Sequence, residues 1–241
     1  MCFSENASLS MAVLGGISTI IINKYINFKA AFAIFYFTLM QLIHYVGYTV
    51  IDDCDNKTNQ LVSILNYYHI CFQGPVYLLG WYGVFEKFKV VKPLHLKFMP
   101  ILIAMSLITS ILMAARRFEW PINSINERPE ILENTKVNDK INGALQGKLC
   151  SKSGIKHIKF RLPLRSEPQY YTPNLFGHFL FIFIPFLLFN NTTRIISAFT
   201  WIFGILIPTE YFNLELAEVP TVWCFLSIIQ LLIMYGYFIF K

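Results

Sequence analysis

Charge is scarce in this chain. Lys, Arg, Asp and Glu make up 14% of its residues, against about 25% in ordinary soluble domains. Long apolar runs carry almost none of them. The run 221–240 holds no Lys, which excludes a retinal Schiff base at the usual rhodopsin position. The runs hold neither Arg nor Asp, which disfavours a charge-driven pump. No G-x-x-x-x-G-K-S/T, G-x-G-x-x-G or G-x-S-x-G word occurs, so nucleotide and nucleophile-elbow chemistry has no motif to rest on. The first eight residues contain no Lys or Arg, and a cleaved signal peptide with a basic start is not expected. The formal net charge is +6, but the basic residues lie in connections beside apolar runs. No basic stripe interleaves with stacking aromatics, so nucleic acid is not expected as a partner.

What the chain has in excess is apolar surface. Hydrophobic residues reach 55%, with 23 Phe, 13 Tyr and 4 Trp, more than a soluble core of this length would bury. Such a chain belongs in a lipid bilayer. Seven runs of membrane-spanning length stand at about 9–26, 30–51, 60–85, 98–115, 174–189, 195–212 and 221–240. They predict an all-α, single-domain bundle of seven transmembrane helices. Lys24 stands at the end of the first run and Lys29 just after it, and Lys87, Lys89, Lys92 and Lys97 occupy the third-to-fourth connection. By the positive-inside rule this puts the N-terminus outside and the C-terminus in the cytoplasm. Acidic Asp52, Asp53, Asp55, Glu210, Glu215 and Glu218 then fall on the outer side, as does the long connection 116–173.

That connection separates helices four and five. Within it Ile158, Phe160, Leu162 and Leu164 alternate with Lys159 and Arg161, a period of two that predicts a β-hairpin at about 146–165 over the outer mouth. Of five cysteines, Cys2, Cys54 and Cys150 are expected outside, and Cys71 and Cys224 within spans. A Cys54–Cys150 disulfide would tie the hairpin to the second and third helices; three reduced thiols are the alternative, and Cys2 has no assigned partner. Asn6-Ala-Ser8 and Asn56-Lys-Thr58 are glycan-acceptor triplets on the same side.

The strongest functional pointer is polar. Asn66, His69 and Gln73 share one face of the third predicted helix, deep in an apolar run. His44 sits on the second with Gln41 and Tyr48 on its face, Asn174 and His178 open the fifth, Glu210 ends the sixth, and Trp223 opens the seventh. On the predicted topology these groups all fall in the outer half of the bilayer, with Ser106, Thr109, Ser110 and Gln230 as mild exceptions on the inner side. Polar groups in hydrocarbon cost several kcal/mol each unless they meet partners. A pocket open to the outside, lined by Gln41, His44, Asn66, His69, Gln73, Asn174, His178, Glu210 and Trp223, follows as an expectation. His44, His69 and His178 are its candidate ligands for a divalent metal such as zinc, although no His-x-x-x-His or His-Glu-x-x-His pair is present. Gly74-Pro75 is expected to kink the third helix, Gly15-Gly16 to permit close packing, and Trp81, Trp120 and Trp201 to sit in the interfacial belt.

Scattered words carry a resemblance. Met1-Cys-Phe-Ser4, Tyr36-Phe-Thr-Leu-Met-Gln41, Val46-Gly-Tyr48, Val50-Ile-Asp52 with Cys54, Tyr68-His69-Ile with Phe72-Gln73, Leu149-Cys150-Ser151, Asn174 with Gly177-His178, and Trp223-Cys224 resemble a family of uncharacterised multi-pass membrane proteins opening Met-Cys-Trp/Phe-Ser-Ala. Here Glu5 replaces the Ala, and Gln41 stands where that family has Glu. The resemblance implies a seven-span protein with outer cysteines and brings no activity.

The functions left open are binding, sensing or transport of a small polar ligand or ion; a metal-dependent intramembrane hydrolase acting on a lipid, with Glu210 or Glu218 activating water; and a structural membrane protein. The second rests on analogy with seven-helix hydrolases of the alkaline ceramidase kind, whose paired histidines in the last helix are missing here. No catalytic residue is assigned.

Overall fold

A computed structural model describes residues 4–115, 149–161, 186–187, 189–203, 206–207 and 218–240, and every structural statement below concerns these. They form six helices and one two-stranded sheet. Four helices are long and apolar enough to cross a membrane: α1 (Glu5–Tyr25), α2 (Phe28–Thr49), α4 (Pro93–Ala114) and the last, α6, whose span covers Pro220–Phe240 of Val219–Phe240. The seven-helix expectation is therefore corrected. The third run forms α3 (Lys57–Phe88), which at 32 residues is the longest helix. Its buried Asn59, Ser63, Asn66, His69 and Gln73 hold its hydropathy below that of the other four. The run 174–189 lies almost wholly outside the described residues, and the run 195–212 is described mainly as α5 (Asn191–Trp201), only 11 residues long.

Local signals explain the helix ends. Ser4 caps α1, its hydroxyl accepting from Ala7 N–H, with Glu5 in the first turn and Lys24 in the last, both favourable to the helix dipole. Asn27 caps α2 by accepting from Ala30 N–H, while its amide donates 2.9 Å to the Gly83 carbonyl and so pins α2 to the far end of α3. Lys89 takes a left-handed conformation (φ 51°) to end α3, and Pro93 begins α4 where its missing N–H costs nothing. Asn190 and Thr193 make a reciprocal capping box on α5, and the Asn190 amide reaches the Val90 carbonyl at 2.8 Å. Thus the α1–α2 turn, the α3–α4 turn and the start of α5 share one end of the bundle.

Contact is close where residues are small. A Cβ added to Gly15 of α1 would lie 2.1 Å from the Thr38 hydroxyl of α2, whereas at Gly16 it would meet nothing within 4 Å. Only the first glycine of the expected pair acts in packing. The main core is aromatic, built from Phe37, Tyr77, Trp81, Phe85, Phe186, Trp223 and Tyr235. Trp81 is fully buried there, edge-on to Tyr235 at 5.4 Å, which corrects its placement in the interfacial belt. It falls four residues after Tyr77 on the inward face of α3, and burial rather than interface affinity sets its position. Outward, α4 exposes Phe98, Ile101, Met105, Ile108 and Ile111, an apolar surface suited to lipid.

The other end carries the hairpin. β1 (Cys150–Ser153) pairs antiparallel with β2 (Ile158–Arg161), Cys150 opposite Arg161 and Ser153 opposite Ile158. The alternation predicted from sequence holds, since Ile158 and Phe160 are buried while Lys159 is half-buried. Leu162 and Leu164 lie outside the described residues. Cys54 and Cys150 are joined by a disulfide, as expected, 96 residues apart in sequence.

Candidate functional site

Several further contacts fasten the hairpin to the bundle. Asn59 of α3 bonds strand β1 in both directions, donating to the Ser151 carbonyl and accepting from its N–H at 2.8 Å each, and its amide also reaches Val50 O. The Ser63 and Ser151 hydroxyls meet at 2.8 Å. Asp52 accepts from the Ser153 N–H at 2.9 Å and from its hydroxyl. Partial burial alone would raise the Asp52 pKa, but those two bonds, with Lys152 and Lys159 nearby, hold it below its ordinary 3.8. The Thr221 hydroxyl donates 2.6 Å to the Ile158 carbonyl.

Glu218 is the strongest anchor. Its carboxylate is fully buried and receives the successive backbone N–H groups of Ile155, at 3.0 Å, Lys156 and His157. Three amides converging on one anion form a nest. Gly154 makes room for it, because a Cβ there would stand 2.6 Å from the Glu218 carboxyl carbon. The expectation that Glu218 activates water is therefore corrected: both of its oxygens are taken up in holding the turn.

The turn delivers His157 onto His44. The two imidazoles meet edge to face with centroids 4.6 Å apart, and the Tyr48 hydroxyl lies 2.7 Å from His157 Nδ1. Burial, and then the neighbouring His44, drive the His157 pKa well below 6.5, so the ring is neutral. Sequence reasoning missed this histidine. Its one signal was position, immediately before the alternating Ile158-Lys-Phe-Arg, at the foot of the turn.

Below His157 lies the polar group foreseen on α2 and α3. Gln41, His44, Asn66 and Gln73 are fully buried, and His69 is 7% exposed. His69 stacks on Tyr36 at 3.9 Å, the Tyr36 hydroxyl donates to the His69 carbonyl, and Phe37 touches both His69 and Trp223. Gln73 donates to the Cys224 sulfur of α6 at 2.6 Å. Five expected residues from two helices are thus buried within the bundle, and Trp223 packs on the same Phe37 as His69. Asn174, His178 and Glu210 lie outside the described residues. Among the described residues no three His, Cys, Asp or Glu side chains are grouped to hold a metal ion, so His44 and His69 do not make a zinc site from these residues alone.

Eight side-chain atoms of this group have no hydrogen-bond partner among the described residues: both polar atoms of Gln41, His44 and Asn66, with His69 Nε2 and Gln73 Oε1. Deeper in, Gln230, one of the polar exceptions expected on the inner side, joins a polar knot, with Tyr77 and Thr200 hydroxyls 2.6 Å apart and the Gln230 amide donating to both.

Apolar helices around a buried polar cluster, with a disulfide-tied hairpin across one end, define a helical membrane protein. The chain belongs to a family of unknown function, DUF5765, whose model matches residues 6–239. No curated protein and no solved structure matches it.

Proposed function

We propose that this membrane protein binds a polar ligand, or the polar part of a larger one, in the cluster of Gln41, His44, Asn66, His69 and Gln73, and senses or transports it. The observation that carries this reading is the set of eight buried atoms without hydrogen-bond partners among the described residues. An unsatisfied buried polar atom costs about 1–3 kcal/mol, so together they rival the whole stability of a typical domain, roughly 5–15 kcal/mol. A burden of that size calls for further partners, and a bound ligand would supply them. Asn174, His178 and Glu210 complete the expected lining.

The hairpin end is the outer face on this reading. A disulfide belongs in an oxidising compartment. Lys24, Lys29, Lys87, Lys89, Lys92 and Lys97 crowd the opposite end, where cytoplasmic anchoring is favoured.

The test is native mass spectrometry with metal analysis on the full chain purified in mild detergent. A retained organic molecule, lost in Asn66→Leu, supports the proposal. Stoichiometric zinc lost in His44→Ala and His69→Ala would favour the hydrolase instead. If nothing is retained and the cluster can be replaced by Met and Leu with a gain in stability, it is a structural element and the proposal fails.

A further inference from the structure

We infer that the ligand is an uncharged long-chain amphiphile reaching the cluster from the bilayer, its head at His69 and Asn66 and its chain along Phe32 and Phe28 of α2. This rests on the cluster being a binding site and adds the ligand's class and route.

The aqueous route over His44 is covered. Cys150, Ser151, His157, Ile158 and Glu218 are all fully buried across that end, and His157 packs directly on His44. The cluster comes nearest the surface at His69. There the imidazole stacks on Tyr36, whose half-buried ring continues to Phe32 at 6.4 Å and on to Phe28 at 5.9 Å, itself 70% exposed. These residues recur every four positions, so their rings form one row on one helix face. The row spans about 12 Å along the axis, from Tyr36 to Phe28. It leads from the exposed flank of α2 to a buried imidazole whose Nε2 has no partner among the described residues.

The chemistry of the cluster selects the head. Amides and imidazoles both donate and accept, and the five residues include no cation or anion. An anionic head would be desolvated among them without a counter-charge, which is costly. A hydroxyl or amide head answers both kinds of atom. Its apolar tail accounts for access from lipid, which a free polar solute could not use.

The test uses the full chain in phosphatidylcholine nanodiscs with a monoacylglycerol carrying a diazirine in its acyl chain. Photolabelling should saturate, map to residues 28–36, and be displaced by unlabelled monoacylglycerol but not by the fatty-acid anion. Phe32→Ala and Asn66→Leu should each raise the half-saturating concentration about tenfold, the loss of one good contact, with the disulfide still formed as the check on folding. Labelling spread without saturation over the lipid faces of α1 and α4 would overturn the inference, as would labelling that needs the disulfide reduced. If native mass spectrometry meanwhile finds a water-soluble ligand lost in Asn66→Leu, the binding site stands and only the route and class fall. If neither method finds a bound molecule, both fall.

Discussion

Replacing Glu218 by Ala should free the tip of the hairpin while leaving its base attached. The carboxylate accepts from three backbone N–H groups, those of Ile155, Lys156 and His157, and is fully buried. Hydrogen bonds to a charged group contribute about 1.5–3 kcal/mol each, and because the three share one anion a combined loss of about 4 kcal/mol is a conservative figure. At roughly 1.4 kcal/mol per factor of ten, the population with the tip released should rise close to a thousandfold. Hydrogen exchange followed by mass spectrometry reads this directly: protection at residues 155–158 should collapse, while β1, held by Cys150 and Asn59, exchanges more slowly. Glu218→Gln, which keeps one acceptor oxygen, should fall between. If Glu218→Ala leaves exchange at these amides unchanged, the nest does not hold the hairpin, and the assignment of Glu218 as anchor is wrong.

Three further outcomes are expected. Reducing the Cys54–Cys150 bond, which closes a 96-residue separation, should lower the resistance of the hairpin end to heat by about 2–4 kcal/mol, seen as a fall in melting temperature with reductant that the Cys54→Ala/Cys150→Ala double variant lacks. Gly15→Ala should destabilise, because its Cβ would lie 2.1 Å from Thr38. Gly16→Ala, with nothing within 4 Å, should be neutral or stabilising by up to about 1 kcal/mol through helix propensity; parallel thermal melts separate the two. His157 is held neutral well below its ordinary 6.5, beside His44 and Tyr48. Only the released state then gains a proton in mild acid, so docking of the hairpin is fully favourable above that value and weakens as pH falls below it, by up to about tenfold per unit. Exchange at residues 155–158 measured from pH 7.5 to 5 should show that trend, and His157→Gln should flatten it.

Much of the architecture was legible because hydrocarbon leaves few choices. A period of two in Ile158-Lys-Phe-Arg gave away a strand, and of the three cysteines expected on the outer side Cys54 and Cys150 form the bridge that was one of two open readings. The polarity of Asn66, His69 and Gln73 marked a buried face for the same reason. What sequence could not give was partnership. Nothing in the word Lys156-His157-Ile158 says that its amides close on a carboxylate 61 residues away, or that His157 would rest on His44. Span counting recovers four helices long and apolar enough to cross a membrane among the described residues, while the polar stripe of α3 lowers its hydropathy despite its length. Tyr77 and Gln230 looked isolated in sequence and meet only because α3 and α6 pack side by side with Thr200 between them.

The placement of the hairpin also sets an order of events at the ribosome. Helices α1 to α4 can pair as they emerge, but Cys54 must wait for a thiol 96 residues downstream, and the turn must wait longer still for Glu218. Throughout that interval the amides and imidazoles of α2 and α3 are inserted with one end uncapped. The cover over His44 is thus completed only once Glu218 has been made.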